Sequence, residues 1–310
     1  MIVKPCKEPL EFSIWRSLRS RKQNITKEDM QYYFKNLKGF HGELEFEKWC
    51  EDLPEDWLCF HNLCLEVKNS KFQLDYIVLT NKSLFLFEIK FYSHDYYFEN
   101  DTLYTHQNKE VLNPSLQLQR NKTLLRQFLT EHDYDIPIHA YVIFINPHFF
   151  LYYAPLDVPY LHSFVYPPQL KRFKKKLHEI YFNTQVILSY QKLQDLSNLF
   201  LKQSFVPKNL MRIPSFNFAE LKKGIRCKNC SSLQTRIKTK LISCEKCGIS
   251  EKKKEAVLRN IEEFILLFPS QKLTTTKIYQ WCKILSQKTI YQILRSNFKP
   301  TKKTRYTYYQ

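Results

Sequence analysis

This sequence of 310 residues has few glycines and no long apolar stretch. It also begins without the apolar segment that is typical of a leader. Its four glycines are too few for flexible glycine-rich linkers and mark specific structural points instead. No apolar run approaches the ~18 residues of a membrane-spanning helix, because Asn146 and Pro147 interrupt the most apolar stretch, Tyr141 to Tyr153. The N-terminus, MIVKPCKEPL, has no apolar signal core. We therefore expect a cytoplasmic protein without a membrane partner.

The chain nevertheless has the material for a hydrophobic core. Hydrophobic residues make up 44% of the sequence and aromatic residues 15%, which excludes an intrinsically disordered protein. The length suggests about two domains. Nine cysteines in a cytoplasmic protein favour metal ligation or buried thiols over a disulfide framework.

Charge is distributed unevenly along the chain. The formal net charge is +18, but residues 171–310 have a net charge of +22 and residues 1–170 of −4. A basic C-terminal half next to an acidic N-terminal half is typical of a polyanion-binding segment attached to a separate domain. The alternative is a solvated basic surface that maintains solubility.

The hydrophobic pattern predicts a mixed α/β architecture. A helix is expected from Gly42 to Pro54, followed by strands and a second helix. The nearly continuous apolar run from Ile138 to Ile145 is typical of a strand buried on both faces. The order of helix, three strands, helix and strand favours a mixed sheet flanked by helices.

Two of the expected strands contain unusual charged residues. Asp75 interrupts one apolar strand, and Glu88 and Lys90 end the next. Glu88 and Lys90 project from the same strand face, and a hairpin would bring Asp75 near Glu88. Two carboxylates and a lysine could hold a hard divalent cation and stabilise phosphoryl charge. This short pattern also fits a Glu–Lys ion pair beside a solvated aspartate.

Four motifs occur in order within about 80 residues: GFHGE (39–43), QLDYIVL (73–79), FEIK (87–90) and NPSLQ (113–117). Together they resemble the nuclease-related domain family, NERD. The resemblance implies a restriction-endonuclease-like PD-(D/E)xK fold and a metal-dependent nuclease. It also implies Mg²⁺ or Mn²⁺ at Asp75 and Glu88, with Lys90 as the catalytic lysine.

The same resemblance assigns two further catalytic residues. Glu43 would complete the carboxylate cluster or bind the metal through water, and Gln117 would contact phosphate or the attacking water. Glu47 lies on the same helix face as Glu43, and we interpret it as a solvated charge.

Four of the nine cysteines form two CxxC pairs: Cys227 with Cys230, and Cys244 with Cys247. Two such pairs separated by 13 residues are typical of a zinc ribbon, and four thiolates leave no open coordination position. We therefore predict structural Zn²⁺. The other five cysteines have no ligand spacing.

The C-terminal segment predicts two short helices in a helix-turn-helix-like arrangement. The second helix and the tail would offer positive and polar groups to nucleic acid: Lys288, Gln292, Arg295, Lys299, Lys302 and Lys303. A small helical bundle with a basic surface is the alternative.

These observations divide the chain into six segments: an extension (1–35), the NERD-like core (36–150), a basic helical continuation (151–206), a linker (207–224), the zinc ribbon (225–250) and a basic helical domain (251–310). We expect a metal-dependent nuclease that acts on DNA and binds it through the zinc ribbon and basic helices. The second hypothesis is a non-catalytic nucleic-acid-binding regulator on a nuclease-like scaffold. A homodimer is compatible with either.

Overall fold

The computed structural model describes residues 1–100, 102–153, 159–206, 212–301 and 307–310. It divides into two units: unit 1 comprises Met1–Glu8 and Phe34–Leu210, and unit 2 comprises Pro9–Tyr33 and Met211–Gln310. Most of the expected N-terminal extension and the described part of the expected linker, 212–224, therefore group with the C-terminal unit.

Six strands follow one another between the second and third α-helices of the chain. In chain order the whole chain contains β1 (Ile2–Lys4), α1 (Leu10–Arg21), α2 (Lys27–Cys50), β2 (Leu58–Val67), β3 (Ser70–Leu79), β4 (Leu84–Lys90), β5 (Asp95–Glu99), β6 (Thr102–Thr105), β7 (Glu110–Val111), α3 (Pro114–Glu131), β8 (Ile138–Phe144), β9 (Phe150–Tyr152), β10 (Phe164–Val165), α4 (Leu170–Asn183), α5 (Tyr190–Gln203), β11 (Thr235–Lys238), β12 (Leu241–Cys244), β13 (Ser250–Lys252), α6 (Lys253–Leu267), α7 (Thr275–Cys282) and α8 (Gln287–Asn297).

Unit 1 is built on a six-stranded mixed sheet with the order β1-β2-β3-β4-β8-β10. The strands β2, β3 and β4 pair antiparallel, and the other neighbours pair parallel. A smaller sheet has the order β7-β6-β5-β9. The expected mixed α/β architecture is confirmed.

Helices cover both faces of the large sheet. Leu125 of α3 and Phe200 of α5 belong to the hydrophobic cluster on one face. Phe46 of α2 and Phe173 of α4 belong to the cluster on the other. The apolar runs of β3 and β4 form strands because such double coverage buries both of their faces.

Helix α2 differs from the sequence expectation at its start. It begins at Lys27 rather than near Gly42, and the Thr26 hydroxyl accepts a hydrogen bond from the Asp29 amide at 3.0 Å, which caps the N-terminus. Gly42 therefore lies inside the helix. A Cβ there would stand 2.8 Å from Phe91 Cβ, so the glycine permits close packing rather than helix initiation.

Unit 2 contains a three-stranded sheet, β11-β12-β13, and the helices α6, α7 and α8. Its hydrophobic core includes Trp281 and Ile290 together with Leu18 of α1. After α8 the backbone amides of Lys299 and Gln310 each bond the other's carbonyl, at 2.9 and 3.0 Å. Tyr309 also bridges Leu273, so described residues before α7 and after α8 pair as β-structure.

The described residues include no helix that combines the length and the apolar character needed to cross a membrane.

Candidate metal and nucleic-acid sites

The β3–β4 hairpin brings Asp75 and Glu88 together. Tyr76 pairs with Phe87 in the antiparallel register, so the next pair outward is Asp75 with Glu88, on the same sheet face. Asp75 Oδ2 accepts a hydrogen bond from the Ile89 amide at 2.9 Å. The two carboxylates are therefore neighbours on that face, and the charge of Glu88 acts on Asp75.

Lys90 connects Glu88 to helix α3. Its Nζ donates to Glu88 Oε1 at 2.7 Å and to Gln117 Oε1 at 3.1 Å. The position of Gln117 follows from the helix start, where Pro114 occupies the first turn and the Asn113 side chain accepts from the Ser115 amide at 3.0 Å. An N-cap followed by proline fixes where α3 begins and so places Gln117 in its first turn.

Burial and neighbouring charges shift the pKa values of Asp75 and Lys90. Burial raises the pKa of Asp75 well above its ordinary value, and the charges of Glu88 and Glu43 raise it further. Burial alone would lower the pKa of Lys90, but Glu88 and Asp75 raise it to about 12. Lys90 is therefore a cation at neutral pH, whereas Asp75 resists ionisation unless another positive charge compensates it.

A hard divalent cation fits the donor set of Asp75 and Glu88. Both offer carboxylate oxygens, the ligands that Mg²⁺ and Mn²⁺ prefer. Glu88 is 2% exposed, and a cation would offset the repulsion that raises the pKa of Asp75. Four of the five expected catalytic residues, Asp75, Glu88, Lys90 and Gln117, are thus brought together.

Glu43 has a different partner. Its Oε2 lies 2.6 Å from His61 Nε2, and Cys6 Sγ lies 3.5 Å from the same nitrogen. Its charge still contributes to the raised pKa of Asp75. Sequence reasoning does not single out Cys6 or His61, because they are 55 positions apart and follow no ligand motif.

Glu47 is not the solvated charge that the sequence suggests. It is half-buried, and its Oε2 accepts a hydrogen bond from the Cys6 amide at 2.6 Å. Burial, and then the charges of Glu43 and Glu47, raise the pKa of the Cys6 thiol to about 12.

The four cysteines of unit 2 converge as expected for a zinc ribbon. Their Sγ atoms all lie within 4.8 Å of one another, with Cys227 to Cys247 at 3.6 Å and Cys230 to Cys244 at 3.5 Å. Tetrahedral Zn²⁺ with Zn–S bonds of about 2.3 Å requires S···S separations of about 3.8 Å, so the cluster could hold zinc.

The turn that follows the second pair also suits a metal site. Gly248 has φ +75°, a conformation that glycine adopts without strain. A hydrogen bond from the Ile249 amide is the main cause that lowers the pKa of Cys247 to about 6, which favours the thiolate form that binds metal.

Helix α8 presents polar side chains to solvent. Lys288, Gln292 and Arg295 are exposed on it, and Lys299 is exposed just beyond it. The Ser286 hydroxyl caps the helix by accepting from the Thr289 amide at 3.3 Å. Lys302 and Lys303 lie outside the described residues.

A groove adjoins the N-terminal ends of α7 and α8. Its volume is about 1020 Å³, and its lining includes Lys272, Thr275, Thr276 and Lys288. Lysines, hydroxyl groups and helix N-termini are the groups that contact nucleic-acid phosphates. The groove and the exposed face of α8 share Lys288.

The segment from α2 to β8 resembles a known protein family. Residues 38–145 match the family model NERD, the nuclease-related domain. The NERD match covers about a third of the chain and includes Glu43, Asp75, Glu88, Lys90 and Gln117. It includes neither the four zinc-type cysteines nor α8.

No curated protein matches the sequence. The crystal structure of protein VC1899 from Vibrio cholerae is similar over 52% of this chain and 39% of that one, with 13% identity and a TM-score of 0.27. At that TM-score the likeness does not inform the fold, and this chain spans well under half of that protein.

Proposed function

We propose that this protein is a metal-dependent nuclease that hydrolyses phosphodiester bonds in DNA. Its reaction site comprises Asp75, Glu88, Lys90 and Gln117 in the NERD segment, with Glu43 nearby. Unit 2 supplies nucleic-acid affinity through α8 and its basic surroundings, and Zn²⁺ at the four cysteines stabilises the small sheet. The NERD match supports a nuclease-like function.

The observation that supports catalysis most strongly is the position of Lys90. Its ammonium group contacts Glu88 and Gln117 while Asp75 lies across the strand pair from Glu88. Burying charged groups is costly unless they are paired. A scaffold without catalytic function has no need for a second buried carboxylate that raises the pKa of the first.

Each side chain has a distinct role in the proposed reaction. Asp75 and Glu88 would hold Mg²⁺ or Mn²⁺, which when bound lowers the pKa of a water and offsets phosphoryl charge. Lys90 remains protonated and stabilises the negative charge that develops on the phosphate. The Gln117 amide orients Lys90 and offers hydrogen bonds to phosphate or the attacking water.

The charge distribution supports nucleic acid as the partner. Residues 171–310 have a net charge of +22, and Lys288 and Arg295 are exposed on α8. Phosphate contacts from such side chains provide sequence-independent affinity.

Plasmid nicking by the purified full-length protein tests the nuclease proposal. The wild-type protein should convert supercoiled plasmid to nicked or linear forms with Mg²⁺ or Mn²⁺ and not with EDTA. Glu88→Gln should lose this activity by at least about 100-fold, because it removes one carboxylate charge at the cation site. The matched control is Glu66→Gln, an exposed glutamate of β2, which should retain activity.

The second candidate function is a non-catalytic regulator that binds nucleic acid. The two short helices α7 and α8 and the β-paired tail favour it, since the helix-turn-helix that the sequence predicts here would place its second helix in the major groove of DNA. Salt-sensitive binding without cation-dependent nicking would support the regulator and overturn the nuclease.

A further inference from the structure

A mixed group of donor atoms lies in unit 1 outside the Asp75–Glu88 pair. Cys6 Sγ, Glu43 Oε2 and His61 Nε2 all lie within 4.8 Å of one another. They come from three separate elements: the segment after β1, helix α2 and strand β2. His61 is 3% exposed, and Cys6 and Glu43 are half-buried.

The contacts converge on one nitrogen. Cys6 Sγ is 3.5 Å and Glu43 Oε2 is 2.6 Å from His61 Nε2. In a Cys–His–acid catalytic triad the thiol and the carboxylate contact opposite nitrogens of the imidazole ring. Here both contact Nε2, so the group does not form a proton relay. Three ligand atoms within 4.8 Å of one another are close enough to bind one metal ion.

We propose that Cys6, Glu43 and His61 form a second transition-metal site, for Zn²⁺ or a similar borderline-soft divalent ion. Thiolate, imidazole and carboxylate are all zinc ligands, and three protein ligands leave a fourth position open. The proposal concerns a site separate from the four cysteines of unit 2 and does not depend on the nuclease function.

The distance between Cys6 and His61 is that of a tetrahedral site, whereas the contact between Glu43 and His61 is shorter. Zinc bonds of about 2.3 Å to sulfur and about 2.0–2.1 Å to nitrogen and oxygen place S and N about 3.6 Å apart, and N and O about 3.4 Å apart. The observed Cys6–His61 separation is 3.5 Å. Glu43 must withdraw from His61 by less than ~1 Å, which a half-buried glutamate on the helix surface achieves by a small side-chain rotation.

A neighbouring residue holds Cys6 in place. Glu47 Oε2 accepts a hydrogen bond from the Cys6 backbone amide at 2.6 Å. Hydrogen bonds of this kind, from residues that do not bind the metal themselves, hold metal ligands in position. Glu43 and Glu47 also add negative charge around the thiol, which attracts a cation. Metal binding releases the thiol proton to solvent.

This site and the Asp75–Glu88 pair differ in donor chemistry. His61 pairs with Tyr76 across β2 and β3, so its side chain emerges on the sheet face opposite to that of Asp75, the next residue. The pair of carboxylates prefers hard cations, whereas thiolate and imidazole prefer zinc-type ions. Excess Mg²⁺ should therefore fill the carboxylate pair and leave the mixed site to Zn²⁺.

Metal stoichiometry of the full-length chain in excess Mg²⁺ tests the proposal. After removal of metals and reloading with Zn²⁺, the wild-type protein should retain two zinc ions per chain by elemental analysis. Cys6→Ser and His61→Gln should each retain one. The control His41→Gln, which changes an exposed histidine of α2, should retain two.

Cobalt substitution separates the two sites. Replacement of the four clustered cysteines of unit 2 by serine removes every thiolate of that cluster, so in the fourfold variant a single Co²⁺ should give the thiolate-to-cobalt absorption of a one-sulfur site. That absorption should vanish when Cys6→Ser is added to the fourfold variant. Far-ultraviolet circular dichroism of each variant, compared with that of the wild type, establishes that unit 1 has folded.

Four outcomes would contradict the site. One is a single zinc ion in the wild-type protein. Another is a second zinc ion that persists in Cys6→Ser. The third is a second zinc ion that excess Mg²⁺ displaces from the wild-type protein. A fourfold variant with a folded unit 1 that shows no one-sulfur cobalt absorption also contradicts it.

Discussion

Lys90 is the residue whose chemistry is most directly tested by substitution. Its ammonium group interacts with Glu88 and Gln117, and its proposed role is to stabilise charge in the transition state. Lys90→Ala should therefore lower the cleavage rate by about 100-fold or more while plasmid affinity changes less than about threefold. Lys71→Ala, which alters an exposed lysine of β3, is the matched control. Single-turnover cleavage and filter binding provide the two measurements.

An equal rate for Lys90→Ala and wild type would show that the reacting phosphate is not near this lysine. A parallel loss of affinity and rate would instead make Lys90 a binding residue.

The raised pKa of Asp75 should make the stability of the metal-free protein depend on pH. Burial and then the Glu88 charge raise its pKa in the folded state, so its contribution is fully present below the unfolded-state pKa of about 3.9 and declines as pH rises through the folded-state pKa. In EDTA, Asp75→Asn should remove this decline and raise the Tm of unit 1 at neutral pH by about 2–4 °C, equivalent to about 1 kcal/mol. Calorimetry at several pH values measures both effects.

Mg²⁺ supplies the matching control for Asp75. It should raise the Tm of the wild-type protein by binding the folded state and have a smaller effect on Asp75→Asn. A lower Tm for Asp75→Asn in EDTA would contradict the assigned repulsion.

At the scale of the element, the two glycines of α2 form a natural pair for comparison. A Cβ added at Gly39 would have nothing within 4 Å, whereas at Gly42 an added Cβ meets Phe91 Cβ at 2.8 Å. Gly39→Ala should stabilise unit 1 by about 0.5–1 kcal/mol through helix propensity. Gly42→Ala should destabilise it by about 1–3 kcal/mol, because the backbone must move to admit the methyl group.

Urea denaturation gives both free energies of unfolding. Equal effects of the two substitutions would mean that α2 does not pack closely on the segment after β4.

Local patterns predict most of the elements of unit 1. The apolar run of β4 and the Asn113–Pro114 start of α3 specify their structures within a few residues, and antiparallel pairing then brings Asp75 to Glu88. The start of α2 is not predictable in this way, because two glycines inside a helix oppose its local propensity. The reason for Gly42 lies in Phe91, which is distant in sequence.

Contacts between distant parts of the chain are beyond such local patterns. The meeting of Cys6, Glu43 and His61 depends on how β1 and α2 pack on β2, and no spacing rule reports it. The segment that contains Lys299 resembles a charged tail in the sequence because lysines dominate it, whereas the structure pairs Lys299 with Gln310.

A buried ion pair explains why α1 belongs to unit 2. Arg21 is 0% exposed and donates to Glu263 Oε2 of α6 at 2.6 Å, and Arg226 donates to Glu263 Oε1 at 3.0 Å. Burial alone would raise the pKa of Glu263, but the hydrogen bond and charge of Arg21, together with Arg226, lower it. The helical part of the expected N-terminal extension is therefore part of the core of unit 2.

Glu263→Gln tests this connection. A lowered pKa contributes stability above the unfolded-state value that is lost as pH falls through the folded-state pKa. The substitution should cost unit 2 about 3–5 kcal/mol at neutral pH, since it leaves Arg21 buried without its counter-charge, and the cost should shrink in acid. Glu262→Gln, at an exposed neighbour, should cost less than about 0.5 kcal/mol. Urea unfolding at about pH 7 and about pH 3 decides between these outcomes.

At the scale of the whole molecule, the separation of charge should make the proposed binding to nucleic acid dependent on salt. The net charge of +22 on residues 171–310 contrasts with −4 on residues 1–170. Each phosphate contact that releases a counterion contributes about −0.9 to the slope of log affinity against log salt on duplex DNA. Affinity should therefore fall steeply with salt, through contacts that residues 171–310 make.

Lys288 and Arg295 are the residues that we propose make those contacts. Both are exposed on α8, and Lys288 also lines the groove of unit 2. Replacing both with alanine should weaken binding and reduce the salt slope by about 2 if both contact phosphate, whereas Lys71→Ala in unit 1 should leave the slope unchanged. Fluorescence anisotropy with duplexes of unrelated sequence measures the slope. A smaller slope for every duplex would place phosphate contacts on α8, whereas an unchanged slope with lost preference among duplexes would mean that these side chains read bases.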